Sequence, residues 1–249
     1  MSDDSANGYW EKLNNVASVM ESVSDSRVFL TDGLLSWKRN FGFLNDKDFV
    51  RCAQNHATSA HIPNYYWQLH TVCWAVKNCL RVPGDFVELG VYKGYTTAIV
   101  AEYIDFANIG RTWYLYDTFE GIPEDQLNKG WTNSPYEDDE PDGVFAEVTA
   151  QFEPYENIRV IRGRVPEVLD EAAPETIAFM HIDLNSAKAE CAALEVLYDR
   201  LSTGGMIVFD DYGWSACIEQ QVGIDEFMAA RGVQVLEIPT GQGIFVKNG

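Results

Sequence analysis

The feature that most constrains the fold is a regular alternation of apolar runs and helical patterns that begins at Asp85. The apolar runs lie at 86–89, 112–116, 158–161, 177–182 and 206–209. Helical patterns between them cover 95–107, 143–152, 165–172 and 186–201. Apolar strands separated by helices indicate a parallel sheet that is covered on both faces.

The end of the chain closes this sheet in a different way. A helical pattern at 216–231 is followed by two apolar runs, 233–238 and 243–247, with a short turn between them. Strands joined by so short a link pair antiparallel. We therefore predict a doubly wound α/β fold with a mostly parallel, seven-stranded sheet and an antiparallel last strand.

The residues before Asp85 read mainly as helices. The clearest helix follows Pro63, and the breaker sequence VPG at 82–84 ends it. We predict a helical N-terminal extension over 1–82 and a ligand-binding domain over 83–249. Within this domain, the segment 118–143 is rich in Gly, Pro, Asn and acids and follows a strand end, so we predict a lid there.

Composition excludes some classes of partner. The formal net charge of -20 repels phosphate backbones and anionic lipids, so we expect neither nucleic-acid nor membrane binding. The N-terminus lacks the basic and apolar regions of a secretory signal, and no apolar run approaches the roughly 18 residues of a membrane span. Five cysteines without a CxxC pair suggest reduced thiols. We predict a cytoplasmic protein, a small-molecule substrate, and a homodimer or higher homo-oligomer.

A glycine turn marks the start of the candidate site. In DFVELGVYKGYTT (85–97), Glu88 and Gly90 end the first parallel strand, and Gly94 enters the next helix. Glycine lets the backbone approach a ligand closely, and a helix N-terminus offers free N–H donors. The GxxxG spacing differs from the dinucleotide GxGxxG, and no GK[ST] follows as in a P-loop. The alternative to a ligand-binding turn is a strand-to-helix turn that needs glycine only for packing.

Two later strand ends extend the candidate site. Asp117 ends the second strand, where an acid can accept both hydroxyl hydrogens of an adenosine ribose. The third strand ends in IRGR, so Gly163 and Arg164 are candidates to line an adenine pocket. An exposed loop acid is the alternative for Asp117.

The fourth and fifth strands end in three carboxylates. FMHID ends in Asp183, and MIVFDD ends in Asp210 and Asp211. These residues should meet at one edge of the sheet, where their like charges need a cation. Oxygen ligands at a partly open site suit Mg²⁺, which lowers the pKa of a bound hydroxyl. Helix capping and solvated loop acids are the alternative, and His181 is interpreted as a satisfied core histidine.

Several motifs carry a family resemblance over about residues 82–247. VELGVYKGYTT is similar to the motif of catechol O-methyltransferase-like class I methyltransferases, which use S-adenosylmethionine. YDTFEGIPE, HID and LSTGGMIVFDDYG resemble the macrocin O-methyltransferase family, which methylates sugar hydroxyls in antibiotic biosynthesis. The sequence departs from the family at IDLNSAK, where Asn185 replaces the usual second acid and Ala187 the usual tyrosine. The substrate-facing surface is therefore expected to differ.

The resemblance also implies a set of site residues. Glu88, Gly90 and Tyr92 would hold the methionine part of the cofactor, and Gly94 and Thr96 of the same turn are further cofactor-binding candidates. Asp117 would bind the ribose, beside the adenine candidates named above. Asp183, Asp210 and Asp211 would bind Mg²⁺, and Asp183 is also the candidate general base and borders the cofactor.

We predict a Mg²⁺-dependent O-methyltransferase that moves the methyl group of S-adenosylmethionine to a small-molecule hydroxyl, on a sugar or another natural product. A phenol or catechol acceptor stays open as an alternative. A nicotinamide oxidoreductase also needs a glycine turn and a ribose acid, but it leaves the three aspartates without a task. The altered IDLNSAK segment keeps a third alternative open, a cofactor-binding module without catalytic activity.

Overall fold

The computed structural model describes residues 3–56, 65–133 and 140–248. The N-terminal part contains three helices and a β-hairpin. In chain order these elements are α1 (Asp3–Ser24), β1 (Val28–Thr31), β2 (Leu34–Trp37), α2 (Lys47–Asn55) and α3 (Tyr66–Cys79).

The hairpin is a difference from the mainly helical N-terminal region that the sequence predicts. β1 and β2 pair antiparallel, with Thr31 opposite Leu34. Asp32 and Gly33 form the two-residue turn with φ angles of 55° and 65°. Positive φ at both central residues suits the twist of a hairpin and favours Asp-Gly. The local signal was therefore present in the sequence, between two strands of only four residues each.

The alternation after Asp85 forms the predicted sheet. Its elements are β3 (Asp85–Leu89), α4 (Tyr95–Ile104), β4 (Trp113–Asp117), α5 (Pro141–Phe152), β5 (Ile158–Arg162), α6 (Leu169–Ala172), β6 (Ile177–Ile182), α7 (Ala187–Leu197), β7 (Leu201–Phe209), α8 (Ile218–Ala229), β8 (Leu236–Glu237) and β9 (Gly243–Val246). The strand order is β5-β4-β3-β6-β7-β9-β8. The strands from β5 to β7 pair in parallel, and β9 pairs antiparallel with β7 and β8. The predicted fold class is confirmed.

Apolar side chains alternate between the two faces of the sheet. Phe86 and Phe179 belong to one buried cluster, and Val87 and Met180 belong to the other. The first cluster also contains Phe49 of α2 together with apolar residues of α3 and α4. The core on this face therefore continues across residue 82, and α2 and α3 pack as part of it.

The strand order determines where a ligand can bind. The chain runs from β3 outward through β4 to β5, then returns to place β6 on the other side of β3. Open α/β sheets bind ligands at the carboxyl ends of the strands beside such a reversal. The predicted lid at 118–143 begins at this edge, and its residues 134–139 lie outside the described residues. No helix in the described part of the chain is long and apolar enough to cross a bilayer.

Candidate active site

The turn after β3 requires glycine. Gly90 has a φ of +84°, and a Cβ atom there would lie 1.9 Å from the carbonyl oxygen of Asp183. Gly94, which precedes α4, has a φ of +74°. The backbone of this turn therefore passes directly against the end of β6. A side chain at position 90 would push the two strand ends apart.

Asp117 fixes the shape of this turn. Its Oδ2 accepts the backbone N–H groups of Val91 and Tyr92, at 2.7 and 2.8 Å. Its Oδ1 accepts the N–H of Phe119 at 2.6 Å. A carboxylate oxygen has about two acceptor positions, so one position on Oδ1 stays available for a ligand hydroxyl. The sequence did not suggest the contact with the turn.

Glu88 is buried below the turn, with 2% of its surface exposed. Its Oε2 accepts the hydroxyl hydrogen of Thr97, and its Oε1 lies 2.9 Å from Nδ1 of His181. The other ring nitrogen of His181, Nε2, lies 3.3 Å from Oδ1 of Asp210. Burial lowers the pKa of His181, but its contacts with Asp210 and Glu88 outweigh this and raise it well above the ordinary value, so both ring nitrogens act as donors. His181 thus joins the base of the glycine turn to the aspartates.

The first of two adjoining cavities has a volume of about 630 Å³. Its lining includes Gly90, Asp117, Phe119, Ile122 and Gly163. It lies between the ends of β3, β4 and β5 and the segment that follows β4. Its position matches the predicted place of the adenosine part of the cofactor.

Arg164 makes its contacts elsewhere. Its guanidinium group forms a two-point ion pair with Asp125, at 2.8 and 2.6 Å. The described lining of the first cavity includes the neighbours Gly163 and Val165 but not Arg164. The structure therefore brings Gly163 to the cavity and ties Arg164 to the segment 118–133.

The second cavity has a volume of about 710 Å³ and is lined by aromatic and acidic side chains. The aromatic residues are Tyr65, Tyr92, Tyr95, Trp131 and Trp214. Thr96 and the three aspartates also line it. The two cavities share Gly90, Tyr92, Asp183 and Asn185. Groups bound in the two cavities can therefore meet beside Asp183.

The register of the sheet brings the aspartates to one edge. Ile182 of β6 lies opposite Phe209 of β7, and Asp183 and Asp210 follow these two residues. The backbone N–H of Asp210 donates to the carbonyl of Ile182 at 3.0 Å. All three predicted metal ligands, Asp183, Asp210 and Asp211, line the second cavity.

The aspartates differ in how their charge is compensated. Burial and repulsion by Asp210 and Asp211 raise the pKa of Asp183 well above its ordinary value. Burial and the charge of Asp210 raise the pKa of Asp211 to about 7. Burial alone would favour neutral Asp210 too, but hydrogen bonds from His181 and Gln242 hold its pKa below the ordinary value. Full ionisation of the three carboxylates would therefore require more positive charge than these donors supply.

Asn185 lies at the wall shared by the two cavities. Its φ of 53° is in the left-handed region, which Asn tolerates better than most residues. Its Nδ2 donates to Oδ1 of Asp183 at 3.0 Å. Its carbonyl accepts from Nδ2 of Asn128, whose Oδ1 accepts the N–H of Ala187. The predicted lid thus contacts both positions at which the sequence departs from the family pattern.

The sequence model of the macrocin O-methyltransferase family (TylF) matches residues 67–239. The chain belongs to this family. The match covers most of the sheet and every strand end described above. The resemblance found in the motifs is confirmed, and so is the enzyme class, a methyltransferase with the class I fold that uses S-adenosylmethionine.

Two curated relatives are O-methyltransferases of natural-product pathways. The 8-demethyl-8-(2,3-dimethoxy-alpha-L-rhamnosyl)-tetracenomycin-C 4'-O-methyltransferase of Streptomyces olivaceus is 33% identical over 148 residues, which are 55% of this chain and 56% of that protein. The match thus spans little more than half of that relative. The Mycinamicin III 3''-O-methyltransferase of Micromonospora griseorubida is 26% identical over 82% of this chain and 86% of that protein.

A solved structure supports the fold of this family member. The structure of the O-methyltransferase NovP has a TM-score of 0.60 and 22% sequence identity to this chain. The superposition covers 73% of this chain and 80% of that chain.

The donor set at the strand ends fits Mg²⁺ in its chemistry. Three carboxylates in one cavity supply the oxygen ligands that Mg²⁺ prefers, and a cation would offset the mutual repulsion that raises the pKa of Asp183. Within the described residues, however, no three His, Cys, Asp or Glu side chains converge closely enough to form a complete metal site. The carboxylate side chains would have to turn toward a bound ion.

Sequence reasoning missed Gln242, which is fully buried. It precedes β9, and its Nε2 donates to Oδ1 of Asp210 at 2.9 Å. Phe209 pairs with Gly243 in the antiparallel register, so the residue before β9 lies beside the residue after β7. The antiparallel pairing of β7 with β9 was the signal that could have identified Gln242 as a neighbour of Asp210. His181 was expected in the core, and its bonds to two site carboxylates were missed as well.

Proposed function

We propose that this chain is a Mg²⁺-dependent O-methyltransferase that moves the methyl group of S-adenosylmethionine to a sugar hydroxyl of a natural product. The observation that carries this proposal is the pair of adjoining cavities with Asp183 in their common wall. The first cavity would hold the adenosine part of the donor, and the second would hold the acceptor beside the methionine part. Methyl transfer needs both molecules to meet at a single point.

The first cavity supports the donor assignment. Gly90 and Tyr92 line both cavities, and Glu88 and Thr96 of the same turn line the second. The methionine part of the cofactor would therefore lie along this turn, where the two cavities join, with Glu88, Gly90 and Tyr92 beside it and Gly94 and Thr96 at the start of α4. Asp117 and Gly163 line the first cavity, where we place the adenosine part of the cofactor. Asp117 would offer its remaining acceptor position to a ribose hydroxyl. We keep Arg164 as an adenine candidate only through its backbone, since its side chain binds Asp125.

The aspartates supply the chemistry at the acceptor. Asp183, Asp210 and Asp211 would hold Mg²⁺, which lowers the pKa of the acceptor hydroxyl when it is bound. Oδ1 of Asp183 accepts a hydrogen bond from Asn185, so Oδ2 would be the oxygen that faces the cation and, as general base, the acceptor hydroxyl. As the new O–CH₃ bond forms, the S–CH₃ bond of the donor breaks. S-adenosylhomocysteine is left in the first cavity.

The second cavity supports a ring-shaped acceptor. Aromatic side chains such as Tyr65 and Trp214 offer flat apolar surfaces that suit the faces of a sugar or of a polycyclic aglycone. The relative from Streptomyces olivaceus is named for a natural product that carries a rhamnosyl group. A phenolic hydroxyl fits the same cavity, and we retain it as an outcome of the test.

The test combines binding with turnover. Calorimetry measures S-adenosylmethionine binding, and mass spectrometry then detects methyl transfer to a panel of natural-product glycosides and phenols, with MgCl₂ or with EDTA. Glycoside methylation that requires MgCl₂ is the expected result. Failure to bind the donor refutes the proposal. Equal turnover in EDTA refutes the metal requirement, and methylation of phenols alone refutes the sugar acceptor.

The assembly and location of the chain are also proposals. We propose a homodimer or higher homo-oligomer, supported by the exposed side chains of Val16, Val19 and Val23 along α1. Light scattering at two protein concentrations tests it. We propose a cytoplasmic location, supported by five unpaired cysteines, of which only Cys191 is partly exposed.

A further inference from the structure

One oxygen of Asp210 receives two hydrogen bonds. Nε2 of Gln242 lies 2.9 Å from Oδ1 of Asp210, and Nε2 of His181 lies 3.3 Å from the same atom. Within the described residues, no hydrogen bond reaches Oδ2 of Asp210. The side chain is therefore held in one orientation, with one oxygen used by the protein and the other available.

Both donors are themselves held firmly. His181 is 1% exposed, and its second ring nitrogen bonds Glu88 at 2.9 Å. Gln242 is 0% exposed, and its Oε1 accepts the hydroxyl hydrogen of Thr240 at 3.1 Å. The carbonyl of Thr240 in turn accepts from Nε2 of Gln68, at 2.9 Å. Asp210 is thus anchored on one side to the glycine turn and on the other to α3.

The position of Gln242 depends on a tight packing of loops. Gly241, the preceding residue, has a φ of +88°, and a Cβ there would lie 2.5 Å from Nε1 of Trp214. The N–H of Gly213 donates to the carbonyl of Gly241 at 2.6 Å. The turn before β9 is therefore locked against the loop after Asp211. This arrangement leaves Gln242 little freedom to point elsewhere.

We propose that Gln242 and His181 are positioning residues for the cation, holding Oδ1 of Asp210 so that Oδ2 is the oxygen that binds the metal. This inference rests on the proposed function, since it assumes that the aspartates bind a divalent cation. Residues that hydrogen-bond a metal ligand orient it, and their loss typically lowers metal affinity by about 10- to 100-fold. Neither residue touches the donor or the acceptor in this role.

The test uses Gln242→Leu, which removes the donor while keeping a similar size. Calorimetry measures the affinity for Mn²⁺, used in place of Mg²⁺, with S-adenosylhomocysteine present, and the affinity for S-adenosylhomocysteine alone. We expect Mn²⁺ to bind about 10-fold more weakly and S-adenosylhomocysteine to bind as in the wild type. Thermal unfolding verifies that the variant is folded.

Asn157→Ala is the matched control for lost buried hydrogen bonds. Asn157 precedes β5 at the opposite edge of the sheet, and its Nδ2 donates to the carbonyls of Phe106, Ile109 and Arg111. It should lower stability and leave Mn²⁺ affinity unchanged. Equal loss of Mn²⁺ affinity in Asn157→Ala and Gln242→Leu would show a general effect of stability and overturn the inference.

A pair of His181 variants provides a rescue test. The amide nitrogen of Gln reaches the position of Nε2, whereas the amide of Asn reaches only that of Nδ1. His181→Gln should therefore keep Mn²⁺ affinity close to that of the wild type, and His181→Asn should lose about 10-fold. Equal affinities in the two variants contradict the assigned contact.

The outcomes separate this inference from the proposed function. If the wild type binds Mn²⁺ and Gln242→Leu binds it equally well, the positioning role is wrong and the metal site stands. If the wild type binds S-adenosylhomocysteine but no divalent cation, the metal requirement and the positioning role are both refuted.

Discussion

The glycine turn offers the sharpest test of the site, through the variant Gly90→Ala. A Cβ at this position would lie 1.9 Å from the carbonyl oxygen and 2.5 Å from the carbonyl carbon of Asp183. Real contacts of this kind are longer than 3 Å, so β6 and the turn must separate by more than an ångström. The positive φ of 84° adds a second, independent penalty.

The two penalties can be estimated. A left-handed backbone costs a residue with a Cβ roughly 1–2 kcal/mol. Forcing an extra carbon into a packed contact costs about 1–3 kcal/mol. We therefore expect Gly90→Ala to lower the free energy of unfolding by about 2–5 kcal/mol. This is a large part of the roughly 5–15 kcal/mol that stabilises a typical domain.

Two other glycines separate the contributions. Gly232 has a φ of +70°, but a Cβ there would meet no described atom within 4 Å, so Gly232→Ala isolates the backbone penalty. Gly110 has neither a positive φ nor such a contact, so Gly110→Ala should be neutral or stabilising by up to about 1 kcal/mol.

Urea denaturation of the three variants gives the free energies, and calorimetry gives the affinity for S-adenosylhomocysteine. We expect stability to fall in the order Gly110→Ala, Gly232→Ala, Gly90→Ala. Only Gly90→Ala should also weaken S-adenosylhomocysteine binding, because it displaces the wall shared by both cavities. The close contact with Asp183 is refuted if Gly90→Ala is no less stable than Gly232→Ala and binds S-adenosylhomocysteine normally.

Three further predictions concern the acids and the lid. Asp210→Ala should abolish Mg²⁺-dependent turnover and leave S-adenosylhomocysteine binding intact, whereas Asp117→Ala should weaken that binding by about 1.5–3 kcal/mol, as calorimetry would show. Burial raises the pKa of Glu190 to about 8. Between about pH 4.5, the ordinary pKa of a Glu carboxyl, and pH 8, the folded protein keeps a proton on Glu190 that the unfolded chain loses. The free energy of unfolding therefore falls as pH rises through this range. Glu190→Gln should remove this loss, making the variant more stable than the wild type in urea at pH 7.5 and similar at pH 4.5. Asn128→Ala should lower stability in urea by about 1–3 kcal/mol, since it leaves Gln220 and a backbone N–H without their partner.

Each of these predictions has a result that contradicts it. If Asp210→Ala and Asp117→Ala impair donor binding and turnover alike, the division into a metal part and a ribose part is wrong. If the stability difference between Glu190→Gln and the wild type does not change with pH, Glu190 is ionised in the folded protein. The exposed Glu147→Gln serves as its surface control. Wild-type stability in Asn128→Ala would show that solvent replaces the lost contacts.

The sequence was sufficient for the sheet and for the residues at its strand ends. β3, β4, β5 and β6 begin and end within a residue of the predicted runs, because a continuous apolar strand between helices has few alternative structures. The acids Asp117, Asp183 and Asp210 could be placed at one edge because parallel strands share their carboxyl ends. These are local signals, read from neighbours in the chain.

The partners of those acids could not be placed in this way. Asp117 is 26 residues from Val91, whose N–H it accepts, and Asp210 is 32 residues from Gln242. Such contacts depend on the register of β9 and on the path of loops, which no periodicity encodes. The hairpin of β1 and β2 was missed for a related reason, since four-residue strands carry too little alternation to outweigh helical surroundings.

The same long-range contacts connect the N-terminal region to the site. Asp32, in the hairpin turn, accepts the N–H groups of Trp67 and Gln68 at 3.1 and 2.9 Å, and so caps α3 from outside the helix. Gln68 then bonds Thr240, which precedes the positioning residue Gln242 by two positions. The aromatic ring of Trp214 fills the space beside Gly33. The hairpin therefore fixes the start of α3, and α3 in turn supports the wall of the second cavity and the orientation of Asp210. In this arrangement, the residues that precede the sheet determine the geometry of the acids at its edge.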